Sequence, residues 1–169
     1  MKKHVKFLGI MLALSTMIML NSCNDDENNG TNGNTNGNTN GNKEVTANMT
    51  GKVNGKTFSW TGNARILGDV LELTANGETL TPRIMLSIPT DVEVKQSYSI
   101  TLTGDYKAYY MNDESANATA DDGTITITEY DKTKKTIKGT FNFSTPETLY
   151  TPAYSITEGN FNYVYEILF

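Results

Sequence analysis

Cys23 is the one cysteine of the 169-residue chain, and its setting gives its sulfur a specific chemistry. Lys2, Lys3 and Lys6 come first, then an apolar run over residues 7–20, then Leu20-Asn21-Ser22. A basic start, a short apolar stretch and a small residue before a cleavage point make up a secretory signal. The run falls short of the ~20 apolar residues that a membrane-spanning helix needs. Cleavage is expected between Ser22 and Cys23, with lipid then attached to the cysteine sulfur. Asn21 departs from the Ala, Ser or Thr common at that place in a lipobox. A lone cysteine also excludes an intramolecular disulfide.

The rest of the chemical inventory is spare. The only histidine, His4, falls inside the signal, so the mature chain has none. Ser-His-Asp and Cys-His mechanisms are thereby excluded, as are zinc sites built on cysteine and histidine. Neither a dinucleotide-binding glycine pattern nor a P-loop is present. Carboxylates remain, either as a catalytic pair or as hard-oxygen ligands for calcium. The densest group lies in residues 112–122, with Asp113, Glu114, Asp121 and Asp122. Its spacing does not match an EF-hand, and it reads first as a solvated, mobile loop. Glu129 shares strand parity with Ile125 and Ile127, which makes it a candidate inward acid. Aromatic side chains form the other candidate group. Tyr106, Tyr109 and Tyr110 cluster, and Tyr150 and Tyr154 flank Pro152. Exposed tyrosines can stack on sugar rings or anchor a protein partner. Parity puts Tyr106 and Tyr110 on one face and Tyr109 on the other, so one side belongs to the core. Trp60, at the end of a hairpin strand, is expected inside. No cofactor and no metal site are expected.

Charge narrows the partners. The chain has 14 basic and 19 acidic residues, net −5. Removing residues 1–22 deletes three lysines and no acid, so the mature chain stands at 11 − 19 = −8. An acidic protein repels nucleic acid and anionic membrane surfaces. Lys132, Lys134 and Lys135 form the densest basic group, and they read as a solvated hairpin turn. Contact with a membrane is expected through the lipid alone. Each buried methylene contributes ~0.8 kcal/mol and one chain holds only marginally, so stable anchoring takes more than one.

These candidates must be positioned by three zones: the signal at 1–22, Cys23 with a tether at 23–43, and a globular domain at 44–169. The tether repeats Thr-Asn-Gly-Asn from residues 31, 35 and 39 and has no apolar side chain over 24–43. Such a segment cannot offset its chain entropy by burial and is expected to stay disordered. Its root-mean-square span is about 25 Å. The domain alternates apolar and polar residues in the two-residue period of strands. Ile125 and Ile127 share a face, a polar turn covers 131–135, and Ile137, Gly139, Phe141 and Phe143 share the returning face. Asn54-Gly55 joins two runs and suits a type I′ turn, and Asn76-Gly77 marks another. Leu71, Leu73 and Ala75 form one face; Ile84, Leu86 and Ile88 another; Tyr98, Ile100 and Leu102 a third. Phe161, Tyr163, Tyr165, Ile167 and Phe169 close the series. About nine strands and no amphipathic helix predict an all-β fold, a single antiparallel β-sandwich, with a closed calycin-like barrel as the alternative.

Residues 50–60, 123–143 and 156–161 together resemble an uncharacterised family of Bacteroidota lipoprotein domains, over nearly all of 48–166. The first stretch is similar to that family's opening hairpin. The second is similar to its Gly-x-Ile-x-Ile and Ile-x-Gly-x-Phe-x-Phe hairpin, and the third to its closing strand. The resemblance implies the all-β class and the envelope compartment, and it brings no catalytic residue. Asp25, Asp26 and Glu27, directly after the cysteine, likewise resemble the acidic run that sends such lipoproteins to the outer face of the outer membrane.

Two functions fit: a surface-displayed binding or adhesion module for a glycan or envelope protein, and a small-molecule carrier with an internal apolar cavity. A packed interior favours the first and an open cavity the second. A non-enzymatic role is expected. A labelled fatty acid should mark the wild-type protein and not Cys23→Ala. Changing Asp25, Asp26 and Glu27 to Ala should leave the label in place. It should also protect the domain from protease added to intact cells. Equal labelling of wild type and Cys23→Ala would refute the anchor.

Overall fold

A computed structural model describes residues 47–113 and 116–168. The signal, Cys23, the tether, Glu114 and Phe169 lie outside the described residues. Eleven strands follow in order: β1 Asn48–Val53, β2 Lys56–Leu67, β3 Val70–Asn76, β4 Arg83–Pro89, β5 Ser97–Ile100, β6 Lys107–Met111, β7 Ala118–Thr119, β8 Asp122–Asp131, β9 Thr136–Thr145, β10 Tyr154–Val164 and β11 Glu166–Leu168. They form one hydrogen-bonded path, β5-β8-β9-β10-β1-β2-β3-β4-β6-β7, antiparallel throughout, while β11 pairs in parallel with β2. The all-β antiparallel expectation holds. The sheet curls into a half-barrel, and opposite parts of the same sheet face each other across one core.

Local sequence explains the turns. Asn54 and Gly55 have φ of 47° and 80°, the pair of positive values that a two-residue type I′ hairpin requires. Asn54 also docks this turn onto β10: its N–H donates to Ser155 O, and its Oδ1 accepts from Ser155 N, each at 2.8 Å. In the β8–β9 turn, Asp131 Oδ1 accepts from the N–H groups of Thr133 (2.9 Å) and Lys134 (2.8 Å). The lysine group thus sits on a solvated hairpin turn, and Lys134 pairs with Asp131 at 3.4 Å.

Alternation builds the core. Met49, Leu71, Leu73, Ile84, Leu86, Ile88, Ile125, Ile127, Ile137, Ile156 and Tyr163 are buried, on strands from every part of the curl. Tyr163 crosses the interior, and its hydroxyl donates to Thr74 O on β3 at 3.1 Å. Gly139 is there because of an aromatic neighbour. It pairs with Phe161, and a Cβ at position 139 would lie 2.4 Å from that ring and 2.3 Å from Thr126 O. The ring covers the glycine, a cross-strand device that pins register.

The structure departs from the expected pattern at definite places. β2 runs on to Leu67, and a two-residue turn at Gly68 and Asp69 leads into β3. Asn76-Gly77 opens a longer connection over residues 77–82, closed by Gly77 N donating to Pro82 O at 2.7 Å. A bulge between Ile127 and Glu129 inserts a residue and reverses parity, so Tyr130 packs against the core. Glu129 turns outward and meets Lys138 at 2.7 Å, so it is not an inward acid. Leu102 and Ile167, expected inside, are exposed. The chain leaves the sheet after Ile100. At Tyr165 it breaks from β9, and β11 pairs with the part of β2 that extends past the start of β1. β7 is not marked by the alternation, and β11 is not separated by it from β10.

The margins of the sheet meet at one end. Ala118 and Thr119 pair with β6, Ala120 N donates to Ala108 O at 2.9 Å, and Asp121 N then donates to Ser144 O at 3.2 Å. Residues 118–122 therefore pass from one margin to the other. Tyr163 tests the cross-sheet packing. Tyr163→Phe should lower unfolding free energy by about 1 kcal/mol through the lost hydrogen bond, and Tyr163→Ala by about 3–5 kcal/mol, both read from denaturant midpoints. Two equal small losses would mean that the two walls do not depend on this contact.

Candidate functional site

The outward faces of β3, β4 and β6 form a shallow wall whose residues line up in register. Arg65, Glu72, Ser87 and Lys107 form one row, and Asn63, Thr74, Met85 and Tyr109 the next. A cleft of about 840 Å³ opens at the end of this wall where β3 begins and β4 ends. Val70, Ser87 and Tyr109 line it from the strands, together with residues 103–106, Asp69 and Asp91. Thr90 N donates to Asp69 O at 2.8 Å, which fixes the end of β4 against the β2–β3 turn. A smaller groove of about 230 Å³, lined in part by Met85, Ser87 and Tyr109, continues from it along the wall. A third, of about 340 Å³, lies over the outward threonines of β8 and β9 and lacks a tyrosine.

The tyrosine cluster divides. Tyr110 is buried and meets Tyr154 edge-on at 4.5 Å. Tyr106 is half-buried and stacks on Tyr98 at 4.3 Å with 13° between the rings. The Tyr98 hydroxyl accepts from Glu93 N at 2.8 Å, so the stack is held from behind. It stands where the chain crosses from β5 to β6. Tyr109 points outward and is half-exposed; it lines both the cleft and the smaller groove, while Tyr106 lines the cleft alone. Parity alone distinguishes Tyr109 from Tyr110; no sequence signal marks the cleft, because Asp69, Asp91 and Asp105 come from three separate turns. Tyr150, on the far side, is exposed, and Trp60 is half-buried beside Phe58 at 4.4 Å, against the core as expected.

The electrostatics follow from this placement. Burial, the neighbouring Tyr98 and the fields of Asp91 and Asp105 raise the Tyr106 hydroxyl well above the ordinary tyrosine value. Burial and then Tyr165 push Tyr130 up to about 12. Asp69, Asp91 and Asp105 give the cleft negative charge and Lys107 a single cation. Glu72, along the wall, is held by Arg65 at 2.9 Å. Asp121 precedes β8 and Asp122 opens it, and neither lines this cleft. Among the described residues no three His, Cys, Asp or Glu side chains gather as metal ligands. The arrangement offers a ring face, hydroxyls and carboxylate acceptors to a polar ligand.

A single all-β sheet curled on its own core, with an open cleft on its outer wall, defines the class of domain. The chain belongs to the domain family of unknown function DUF6252, whose family model matches residues 26–165. No curated protein and no solved structure matches it.

The raised tyrosines make stability fall in alkali. Tyrosine ionises near pH 10 in the unfolded chain. Folded values above that mean the stabilisation is complete below about pH 10 and is lost as pH rises through the folded values. The denaturant midpoint should hold from pH 8 to about 10 and then drop, with Tyr106→Phe reducing the drop. Tyrosinate absorbance growing with ordinary midpoints in the intact fold would contradict this.

Proposed function

We propose that the chain is a lipid-anchored binding module of the cell envelope, acylated at Cys23 and held at the outer membrane with its domain facing outward. The cleft beside Tyr109 engages a polar ligand, a glycan or an exposed segment of an envelope protein. The filled interior is the observation that carries this reading. Side chains from β1, β3, β4, β8, β9 and β10 pack into one continuous core, so the space in which a calycin-like carrier would hold its cargo is occupied by the protein itself. Recognition then falls to the outer wall. There Tyr109 supplies a ring face for a sugar or an aromatic side chain, and Ser87, Asp69, Asp91 and Asp105 supply hydrogen-bond partners. The signal before Cys23 and the acidic run after it support the envelope placement, and the resemblance to Bacteroidota lipoproteins agrees with it. A non-enzymatic role fits a mature chain without histidine or a free thiol.

The test is a screen of the full-length protein, in detergent, against immobilised glycans and against a fluorescent fatty acid. Glycan binding should weaken by ~10-fold or more in Tyr109→Ala, the size expected when an anchoring tyrosine is removed. The melting temperature should not change, because the side chain lies outside the core. Unchanged glycan affinity in the variant would remove the cleft from the reading. Saturable uptake of the fatty acid, with no glycan bound, would favour the carrier.

A further inference from the structure

The up-and-down course of the strands places connections at two ends. The chain enters β1 at the end that also holds the β2–β3 and β8–β9 turns. The opposite end holds the Asn54-Gly55 turn and the connections over residues 77–82 and 146–153. Those last two connections repeat one motif. The first reads Glu78-Thr79-Leu80-Thr81-Pro82 and the second Glu147-Thr148-Leu149-Tyr150-Thr151-Pro152. In both, the threonines that flank the leucine are tied together. Thr79 Oγ1 donates to Thr81 O at 2.7 Å. Thr148 N donates to Thr151 O at 2.8 Å, and the two hydroxyls lie 2.9 Å apart. Thr148 Oγ1 also accepts from the N–H groups of Tyr150 and Thr151.

The tie lifts the apolar side chain away from the domain. Leu80 is 61% exposed, Leu149 95% and Tyr150 85%. A single exposed leucine is ordinary on a protein surface. Two leucines presented by the same motif at the same end, each beside an exposed glutamate, are a pattern. Each loop is tied by its own hydrogen bonds, which lowers the entropy lost on docking.

We propose that this end docks a protein partner whose surface carries two apolar pockets rimmed by lysine or arginine. Leu80 fills one pocket, Leu149 with Tyr150 fills the other, and Glu78 and Glu147 meet the basic rims. Charge decides among the possible occupants. Glu78 and Glu147 are both exposed at this end, Arg83 after Pro82 is held by Asn76 Oδ1 at 2.8 Å, and the chain as a whole is acidic, net −5. The negative balance repels an anionic lipid surface and a second copy of the chain alike, and it attracts a basic protein. The inference is independent of the Tyr109 cleft, which lies toward the other end.

The test places a photoreactive benzoylphenylalanine at position 80, 149 or 133 of the full-length protein, in the cells that make it. Position 133 is an exposed control in the β8–β9 turn. Positions 80 and 149 should yield adducts to one and the same protein, and position 133 none. Combining Glu78→Lys with Glu147→Lys should cut the yield ~10-fold while the melting temperature holds, since both sites are exposed. Four results overturn the proposal: no adduct, equal adducts from position 133, adducts to lipid or to a second copy of the chain, or a yield that ignores the charge reversal.

Discussion

A sheet with one apolar face and no helix to cover it must cover itself. That constraint governs this domain. Leu71 and Leu73 on β3, Ile84 and Leu86 on β4, and Ile125 and Ile127 on β8 all point to the same side of one continuous sheet. Left flat, that side would face water along its whole length, so the sheet bends until its own walls meet. Tyr163 bridges the walls, from β10 to the carbonyl of Thr74 on β3. The bend needs places where the ladder can give. Bulges stand between Thr50 and Lys52, between Ile127 and Glu129, and between Ile156 and Gly159, which is where strongly curled sheets usually carry them.

Under the binding role proposed above, self-coverage bears on where a ligand could sit. Once the inner face is filled by its own side chains, ligands are left with the outer wall and the connecting loops. Both carry features that packing does not require. The wall has a half-exposed tyrosine beside a cleft framed by three carboxylates, and the far end has two copies of a leucine-bearing loop. The exposed ion pairs, Lys52 with Glu158 and Lys138 with Glu129, each at 2.7 Å, sit on the bulged strands. Pairs so open to solvent contribute little stability, on the order of 0–1 kcal/mol, so their effect is on local register more than on the free energy of folding.

Much of the fold was legible before any coordinates. The hairpin of Ile125, Ile127, Ile137, Phe141 and Phe143 could be read because both strands keep a strict two-residue period. The Asn54-Gly55 turn could be read because few residue pairs accept positive φ twice in succession. Reading failed where period and structure part. The bulge after Ile127 exchanged Glu129 for Tyr130, and no residue type announces a bulge of that kind. Ile167 continues the alternation of β10 perfectly, yet it lies on a strand that has changed partners, and it is exposed. Of the candidate tyrosines, parity correctly separated Tyr109 from Tyr110 but could not say which faced water.

By itself, the sequence determined the all-β class, the main hairpins, the absence of histidine and cysteine from residues 44–169, and the acidic balance. These follow from residue type and short-range spacing, which hold whatever the chain does at a distance. The tertiary structure alone decided that the strands form one curled path, that residues 118–122 join its margins, and that Asp69, Asp91, Asp105 and Tyr109 share a cleft. It also brought the two threonine-tied loops to the same end. Those outcomes depend on which strand pairs with which. Pairing between distant segments is settled by the burial of a common face, a property of the whole sheet that no window of sequence contains.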